Sequence, residues 1–201
     1  MNEEFARLGA ATVYEAAGRK GLVDLELKQL VPGSRACGPA RIARCGQDDN
    51  LMVHAVMAAL QPGEVLVLTM PEPAPVALLG DLLATQAQVH GAAAVLVDAA
   101  VRDSEELAEM GLPIWARWIR SRGATKTVRG YLDVPVTVGG CEIRPGDLVV
   151  LDADGVTVVP VERAAEVLAA SREREAKEAD KRAKLQAGAL SYELDGLNER
   201  V

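Results

Sequence analysis

The chain has 201 residues, 49% of them apolar but only 3% aromatic, and its 29 acidic and 22 basic side chains leave a formal net charge of −7 at pH 7. That length suits one domain with an appendage, and its core must be built from alanine, valine and leucine. The acidic balance argues against a nucleic-acid partner, and the lack of a long apolar run or N-terminal signal segment predicts a cytoplasmic protein with no membrane partner.

In chain order, residues 10–17 suit a short helix stopped by Gly18 and Gly21, with Thr12 and Glu15 spaced as a capping box. Residues 30–33 form a turn, and 36–44 carry a strand signal broken by Gly38 and Pro39. Asp48, Asp49 and Asn50 are start signals for an apolar helix over 51–60. Gln61-Pro62-Gly63 then turns into a buried strand over 64–68, and three prolines make 70–76 a loop. Gly80 opens a helix, 93–97 reads as a strand, and Arg102 and Asp103 follow it. A short helix over 105–110 is stopped by Gly111, and Ile114-Trp115 begins another strand. The cationic, unpatterned run 121–130 is a loop placed to lie over a site. Strand signals at 134–138, 142–143, 148–151 and 156–159, separated by turn sequences, predict a β-meander closing a mixed sheet. After Pro160 a charged helix runs to about Gly188, with Glu173–Lys177 and Glu178–Arg182 spaced as favourable pairs.

Chemistry concentrates between Gly80 and Asp103. A glycine at a helix start lets an anion approach free backbone N–H groups, and the helix dipole favours it there. An arginine can grip a carboxylate with two hydrogen bonds, and an aspartate can hold a hard cation. Another reading accounts for the same residues as architecture: Asp81 as a helix cap, Asp103 or Ser104 as the next cap with Glu106, and Arg102 as a surface ion-pair partner. Three cysteines (Cys37, Cys45, Cys141) have neither disulfide nor zinc spacing. Two histidines (His54, His90) cannot build a His-rich metal site, so any metal should be a hard cation held by carboxylates and water. Trp115 and Trp118 suit either a ligand wall or a core. Asp152 and Asp154 suit turn chemistry, since the remaining EF-hand spacing is missing.

Several motifs together carry a resemblance: DNLM at 49–52, QPGEVLV at 61–67, GDLLAT from Gly80, VRD from Val101, GLPIWAR from Gly111, VGGCEIRPGDLVVLDADGV from Val138, and KLQAG at 184–188. The chain resembles the RraA-like family, and within it the 4-hydroxy-4-methyl-2-oxoglutarate/4-carboxy-4-hydroxy-2-oxoadipate aldolases. The resemblance implies an α/β sandwich of the phosphohistidine-swivelling type with a β-meander and a long C-terminal helix. It divides the chain into a catalytic domain, 1–160, and a helical arm, 161–201, that packs on a neighbouring subunit of a homotrimer or homohexamer. The implied activity is retro-aldol cleavage of a small keto acid to pyruvate, dependent on Mg2+ or Mn2+, with oxaloacetate decarboxylation beside it. Matched residue by residue, Arg102 binds substrate and stabilises enolate charge, Asp103 ligates the metal, and Asp81 holds a metal-bound water. Gly80 and the N–H groups of Leu82 and Leu83 receive the substrate carboxylate, and Glu178, with Glu175 as the other candidate, reaches in from the next subunit. The sequence departs from such aldolases in the apolar run 74–79 and in the tail 189–201. Some RraA-like proteins instead bind ribonuclease E and inhibit it, which is the competing function. A methyltransferase reading lacks a glycine-rich nucleotide loop.

Overall fold

The computed structural model of the chain describes residues 1–200; Val201, the last residue of the expected arm, lies outside them. Helices α1 (Asn2–Leu8) and α2 (Ala10–Ala16) precede strands β1 (Lys28–Gln29) and β2 (Ala36–Arg44). Then follow α3 (Leu51–Val56), β3 (Val65–Thr69), β4 (Ala77–Leu79), α4 (Asp81–Val89), β5 (Ala94–Val101), α5 (Ser104–Met110) and β6 (Ile114–Ile119). The chain continues through β7 (Tyr131–Leu132), β8 (Val136–Val138), β9 (Cys141–Ile143), β10 (Leu148–Asp152) and β11 (Gly155–Val159), and ends in α6 (Ala164–Gln186) and α7 (Ser191–Leu194).

A nine-stranded mixed sheet runs β1-β6-β5-β3-β2-β10-β11, with β4 paired to β5 and β7 to β2. Strands β2, β3, β5 and β6 are parallel, whereas β10 joins β2 antiparallel and pairs with β11 as a hairpin. Gly38 and Pro39 do not break β2: residues up to Pro39 pair with β10 and residues from Ala40 pair with β3, so the strand passes from one part of the curled sheet to the other. The expected meander is divided, because β8 and β9 form a separate two-stranded sheet while β10 and β11 complete the large one.

The central strands are apolar along their whole length because both of their faces are covered. In β5, Val95, Val97, Ala99 and Val101 join a core with Leu83 and Ala87 of α4 and Leu107 of α5, while Ala94 and Leu96 join a second core with Val67, Trp115 and Val149. Trp115 is a core residue whose Nε1 donates to the Asp152 carbonyl at 2.9 Å, and Trp118 lies under the Arg117 guanidinium. Strand β5 runs four residues beyond its expected end, to Val101, because its last turns pair with β4 in the apolar run before Gly80.

Two local expectations are corrected. The cap of α2 is Gly9, with Thr12 inside the helix; the Ala10 N–H at the helix start is received by the buried Asp152 carboxylate at 2.8 Å, alongside the turn bond that Asp152 accepts from the Asp154 N–H. In α6, Glu178 pairs backwards with Arg174 at 2.9 Å rather than forwards with Arg182, while Glu173–Lys177 forms as expected at 2.6 Å. The first turns of α6 bury Ala164, Val167 and Leu168 against Phe5, Leu8 and Val13 of α1 and α2 in a third core. Beyond Ser171 the helix is largely exposed, and α7 is tied back to it by Lys181–Asp195 at 2.6 Å.

Cutting the chain after Pro160 therefore strips cover from the third core. Burial of Val167 and Leu168 contributes roughly 1.5–3 kcal/mol each, a large part of a typical domain's stability. Thermal and urea melts should show a strongly destabilised protein for that truncation, whereas a cut after Gly188 should leave the melting temperature nearly unchanged.

Candidate active site

Strand β5 ends where α4 begins, and Arg102, Asp103, Gly80 and Asp81 meet there. Asp103 formally occupies the cap of α5, yet its carboxylate makes no cap hydrogen bond. Its backbone is left-handed (φ 56°), an uncommon conformation for a residue other than glycine. This turns the carboxylate towards α4, where Oδ2 accepts the Asp81 N–H at 3.1 Å and lies 3.5 Å from Arg102 Nε. Gly80 makes that approach possible, since a Cβ there would sit 2.5 Å from Asp103 Oδ2 and 3.1 Å from Arg102 Nε. Asp81 is likewise not a side-chain cap, because the cap position belongs to Gly80. The Asp81 carboxylate thus does not cap α4, and the Asp103 carboxylate, at the cap position of α5, meets the first N–H of α4 instead of those of its own helix.

A cavity of about 120 Å³ opens at this junction, lined by Gly80, Asp81, Leu82, Leu83, Arg102 and, from elsewhere in the chain, Asn50, His54, Ala77, Ala124 and Lys126. The first-turn N–H groups of Leu82 and Leu83 lie at the positive end of α4, where an anion is favoured. Asn50 is 7% exposed and gives its Nδ2 to the Leu78 carbonyl at 3.1 Å, leaving Oδ1 without a hydrogen-bond partner. A buried, unpaired amide oxygen is costly unless a water or ligand meets it. The Asp49-Asn50 pair reads in sequence only as a helix start, and nothing local marks Asn50 as a wall of the cavity.

Asp49 explains why the cationic run 121–130 has a defined shape. It is fully buried, with Oδ1 accepting the Leu51 N–H at 2.8 Å. Its Oδ2 accepts the Thr125 hydroxyl at 2.7 Å and the N–H groups of Thr127 and Val128 at 2.6 and 2.9 Å. Burial opposes ionisation, but these donors outweigh it and hold the carboxyl down at about 2. The loop is thereby fixed with Lys126 in the cavity wall and Gly123 against Arg102, where a Cβ would come within 3.0 Å of Nη1.

Arg102, Asp103, Asp81, Gly80, Leu82 and Leu83 are thus brought together, and Glu178 is not: it lines neither this cavity nor its neighbour and sits beside α2, where Arg174 also lies 3.9 Å from Glu15. Glu175 is held by both terminal nitrogens of Arg7 at 2.5 and 2.8 Å, and that pairing keeps its carboxyl below the usual range. A cation fits the chemistry of the junction, because Asp103 has only Oδ2 engaged, by the Asp81 N–H, and Asp81 itself lines the cavity there. No group of three or more His, Cys, Asp or Glu converges among the described residues, so such a cation would be held by carboxylate and water rather than by a full protein cage. Burial pushes Cys37 and Cys45 up to about 12 and Cys141 up to about 11, which removes thiol nucleophiles from consideration. No helix is long and apolar enough to cross a membrane among the described residues.

These features define an α/β protein in which the N-terminus of a helix meets an arginine–aspartate pair at a strand end. The Aldolase/RraA family model, RraA-like, matches residues 10–158. A protein of Halalkalibacterium halodurans, provisionally named a 4-hydroxy-4-methyl-2-oxoglutarate aldolase, is 37% identical over 158 residues, covering 78% of this chain and 75% of that protein. The crystal structure of Streptomyces coelicolor RraAS2, described as an unusual member of the RNase ES inhibitor RraA family, superposes with a TM-score of 0.78 at 32% identity, over 90% of this chain and 94% of that one. The RNA-processing inhibitor RraA from Thermus thermophilus matches with a TM-score of 0.62 at 34% identity, over 67% and 81%. The chain belongs to the RraA-like family.

The stability that Asp49 draws from its lowered pKa is present above its ordinary value of 3.8 and is lost as pH falls through about 2. Between those limits the Thr127 and Val128 amides should lose exchange protection, as followed by NMR. At neutral pH, Asp49→Asn places an amide N–H₂ among donors, and trypsin should cut after Arg122, Lys126 and Arg129 faster than in the parent protein.

Proposed function

We propose that the protein is a divalent-metal-dependent pyruvate aldolase that cleaves 4-hydroxy-4-methyl-2-oxoglutarate or a related 4-hydroxy-2-oxo acid. The observation that carries this reading is the Asp103 carboxylate, turned out of its cap position to stand beside Arg102 at the mouth of an anion-binding helix start. In this reading the substrate's C1 carboxylate rests on the Leu82 and Leu83 N–H groups, and its keto oxygen faces Arg102. Asp103 would hold Mg2+ or Mn2+, and Asp81 would accept a hydrogen bond from water bound there. When bound, the cation supplies Lewis-acid stabilisation of charge on the keto oxygen.

Cleavage breaks the C3–C4 bond, moves its electron pair into an enolate of pyruvate, and turns the C4 alcohol into a ketone as its proton leaves. Negative charge grows on the keto oxygen, where the Arg102 guanidinium acts more strongly in the transition state than on bound substrate. In this reading Asp81 takes the departing proton, and C3 of the enolate is reprotonated to release pyruvate. The same enolate arises when oxaloacetate loses carbon dioxide, so decarboxylation of oxaloacetate accompanies the aldolase activity. Glu178 acts from a neighbouring protomer of a trimer or hexamer, a reading supported by the exposed Leu190, Tyr192 and Leu194 at the end of the arm. Glu175, already gripped by Arg7, is the poorer candidate.

Ribonuclease binding is the competing function, given the names of the structural relatives. A surface that only binds a ribonuclease has no need of a glycine that admits a carboxylate to a helix start, so the site favours catalysis. Pyruvate release from 4-hydroxy-4-methyl-2-oxoglutarate and from oxaloacetate, with and without Mg2+ or Mn2+, tests the proposal. Turnover that requires the metal supports it. No turnover with either substrate, alongside ribonuclease E binding, overturns it.

Asp103→Ala should abolish metal-dependent turnover, while the thermal melt falls only by the loss of the one hydrogen bond to the Asp81 N–H, on the order of 1 kcal/mol. Arg102→Lys should lower kcat by at least about tenfold, since a point charge cannot reproduce a planar two-pronged grip. Mixing Asp103→Ala protomers with Glu178→Gln protomers, each nearly inactive alone, should restore part of the activity. Mixed oligomers that form without any recovery would sink the shared-site assignment of Glu178.

A further inference from the structure

A second cavity of about 350 Å³ adjoins the first, with Arg102 common to both; Asp103, Ile119, Arg120 and Ser121 complete its lining. Register brings Arg120 here. Strands β5 and β6 pair through Val101 and Ile119, and the Arg120 N–H then donates at 2.9 Å to the carbonyl of Val101, the residue that precedes Arg102. The Arg120 guanidinium has no acidic partner among the described residues, and the hydrogen bond it makes runs from Nη1 to the Ile119 carbonyl at 2.7 Å. Most other arginines of this chain are paired, among them Arg41 with Glu64 and Asp133, Arg117 with Asp98, and Arg172 with Glu4. The cavity thus sets two arginines against the single carboxylate of Asp103, in a protein whose net charge is −7.

We propose that this second cavity is a carboxylate subsite, in which Arg120 binds the distal carboxylate of a dicarboxylic 2-oxo acid and so sets substrate choice. The assignment rests on the aldolase reading for the reaction but not for the binding. A substrate whose 2-oxo acid end lies on the Leu82 and Leu83 N–H groups passes Arg102 with its far end in the second cavity. A neutral far end leaves Arg120 without a partner there, whereas a carboxylate gains a charge-assisted, two-pronged hydrogen bond. Arg120 is then a specificity residue that touches substrate away from the bond being broken.

Two measurements test this. In the first, kcat/KM is compared for 4-hydroxy-4-methyl-2-oxoglutarate and for 4-hydroxy-4-methyl-2-oxopentanoate, which carries a methyl group in place of the distal carboxylate. Arg120→Ala should shrink the preference for the dicarboxylate by about tenfold to a hundredfold, the scale of one charge-assisted hydrogen bond, chiefly through KM. Arg120→Lys should retain part of the preference, and Arg129→Ala, a charge loss outside both cavities, should leave the ratio unaltered. In the second, calorimetry compares binding of 2-oxoglutarate and 2-oxopentanoate in magnesium-containing buffer, without any turnover. The parent protein should prefer 2-oxoglutarate, and Arg120→Ala should lose that preference. An undiminished preference in Arg120→Ala, or none in the parent protein, overturns the subsite. If the parent protein cleaves neither hydroxy acid but shows the Arg120-dependent binding preference, the aldolase reading fails and the subsite stands.

Discussion

The hydrogen bond from the Asp81 N–H to the Asp103 carboxylate ties the end of β5 to the start of α4, and the site has its shape because of it. The bond needs a left-handed backbone at Asp103 and the absence of a side chain at Gly80. Neither is a favourable local choice for a strand–helix junction, and a left-handed aspartate stores strain unless its surroundings over-determine it. Here the surroundings are β5, buried at every position, and α4, which packs Leu83, Ala84 and Ala87 into the same core. A rigid scaffold holds the strained residue, and the strained residue holds a carboxylate where the helix leaves N–H groups unpaired.

A second constraint acts from outside the junction. The loop that follows β6 carries Arg120, Arg122, Lys126 and Arg129 with no acidic residue among them, a composition that by itself favours a solvated, mobile segment. The buried carboxylate of Asp49 collects four donors, three of them from that loop, and converts it into a wall of the cavity. This is how an acidic protein presents a cationic mouth: net charge describes the whole surface, whereas one buried anion decides where a handful of cations stand.

The fold is shared with proteins described as inhibitors of RNA processing, so architecture does not separate the family's roles. On the proposed function, the distinction lies in the side chains at the junction of β5 and α4 rather than in the architecture. On the proposed reading, the carboxylate turned away from its own helix and the Arg120 guanidinium that lines the same cavity serve substrate binding. Helix α6 belongs to both levels, since its first turns complete a core of this chain and its exposed second half carries the acids proposed to serve a neighbour.

The sequence alone determined the family, the α/β class and the Gly80–Asp103 stretch, because these depend on local signals: apolar runs, glycine and proline punctuation, and motifs carried intact. It also marked the turn role of Asp152, and left Trp115 between a ligand wall and a core. The same signals left the caps of Asp81 and Asp103 open, because an acid before a helix reads alike whether it faces its own N–H groups or another helix. Strand β4 and the far end of β5 escaped notice, since each is defined by pairing with the other rather than by periodicity. Asn50, Asp49 and Arg120 gained their places only in three dimensions. Their partners lie 28 or more residues away at Leu78 and the 125–128 loop, or across a strand register that joins Val101 to Ile119. Hydrogen bonds and register between segments distant in sequence leave no local pattern, and that is the part of the site the tertiary structure decided.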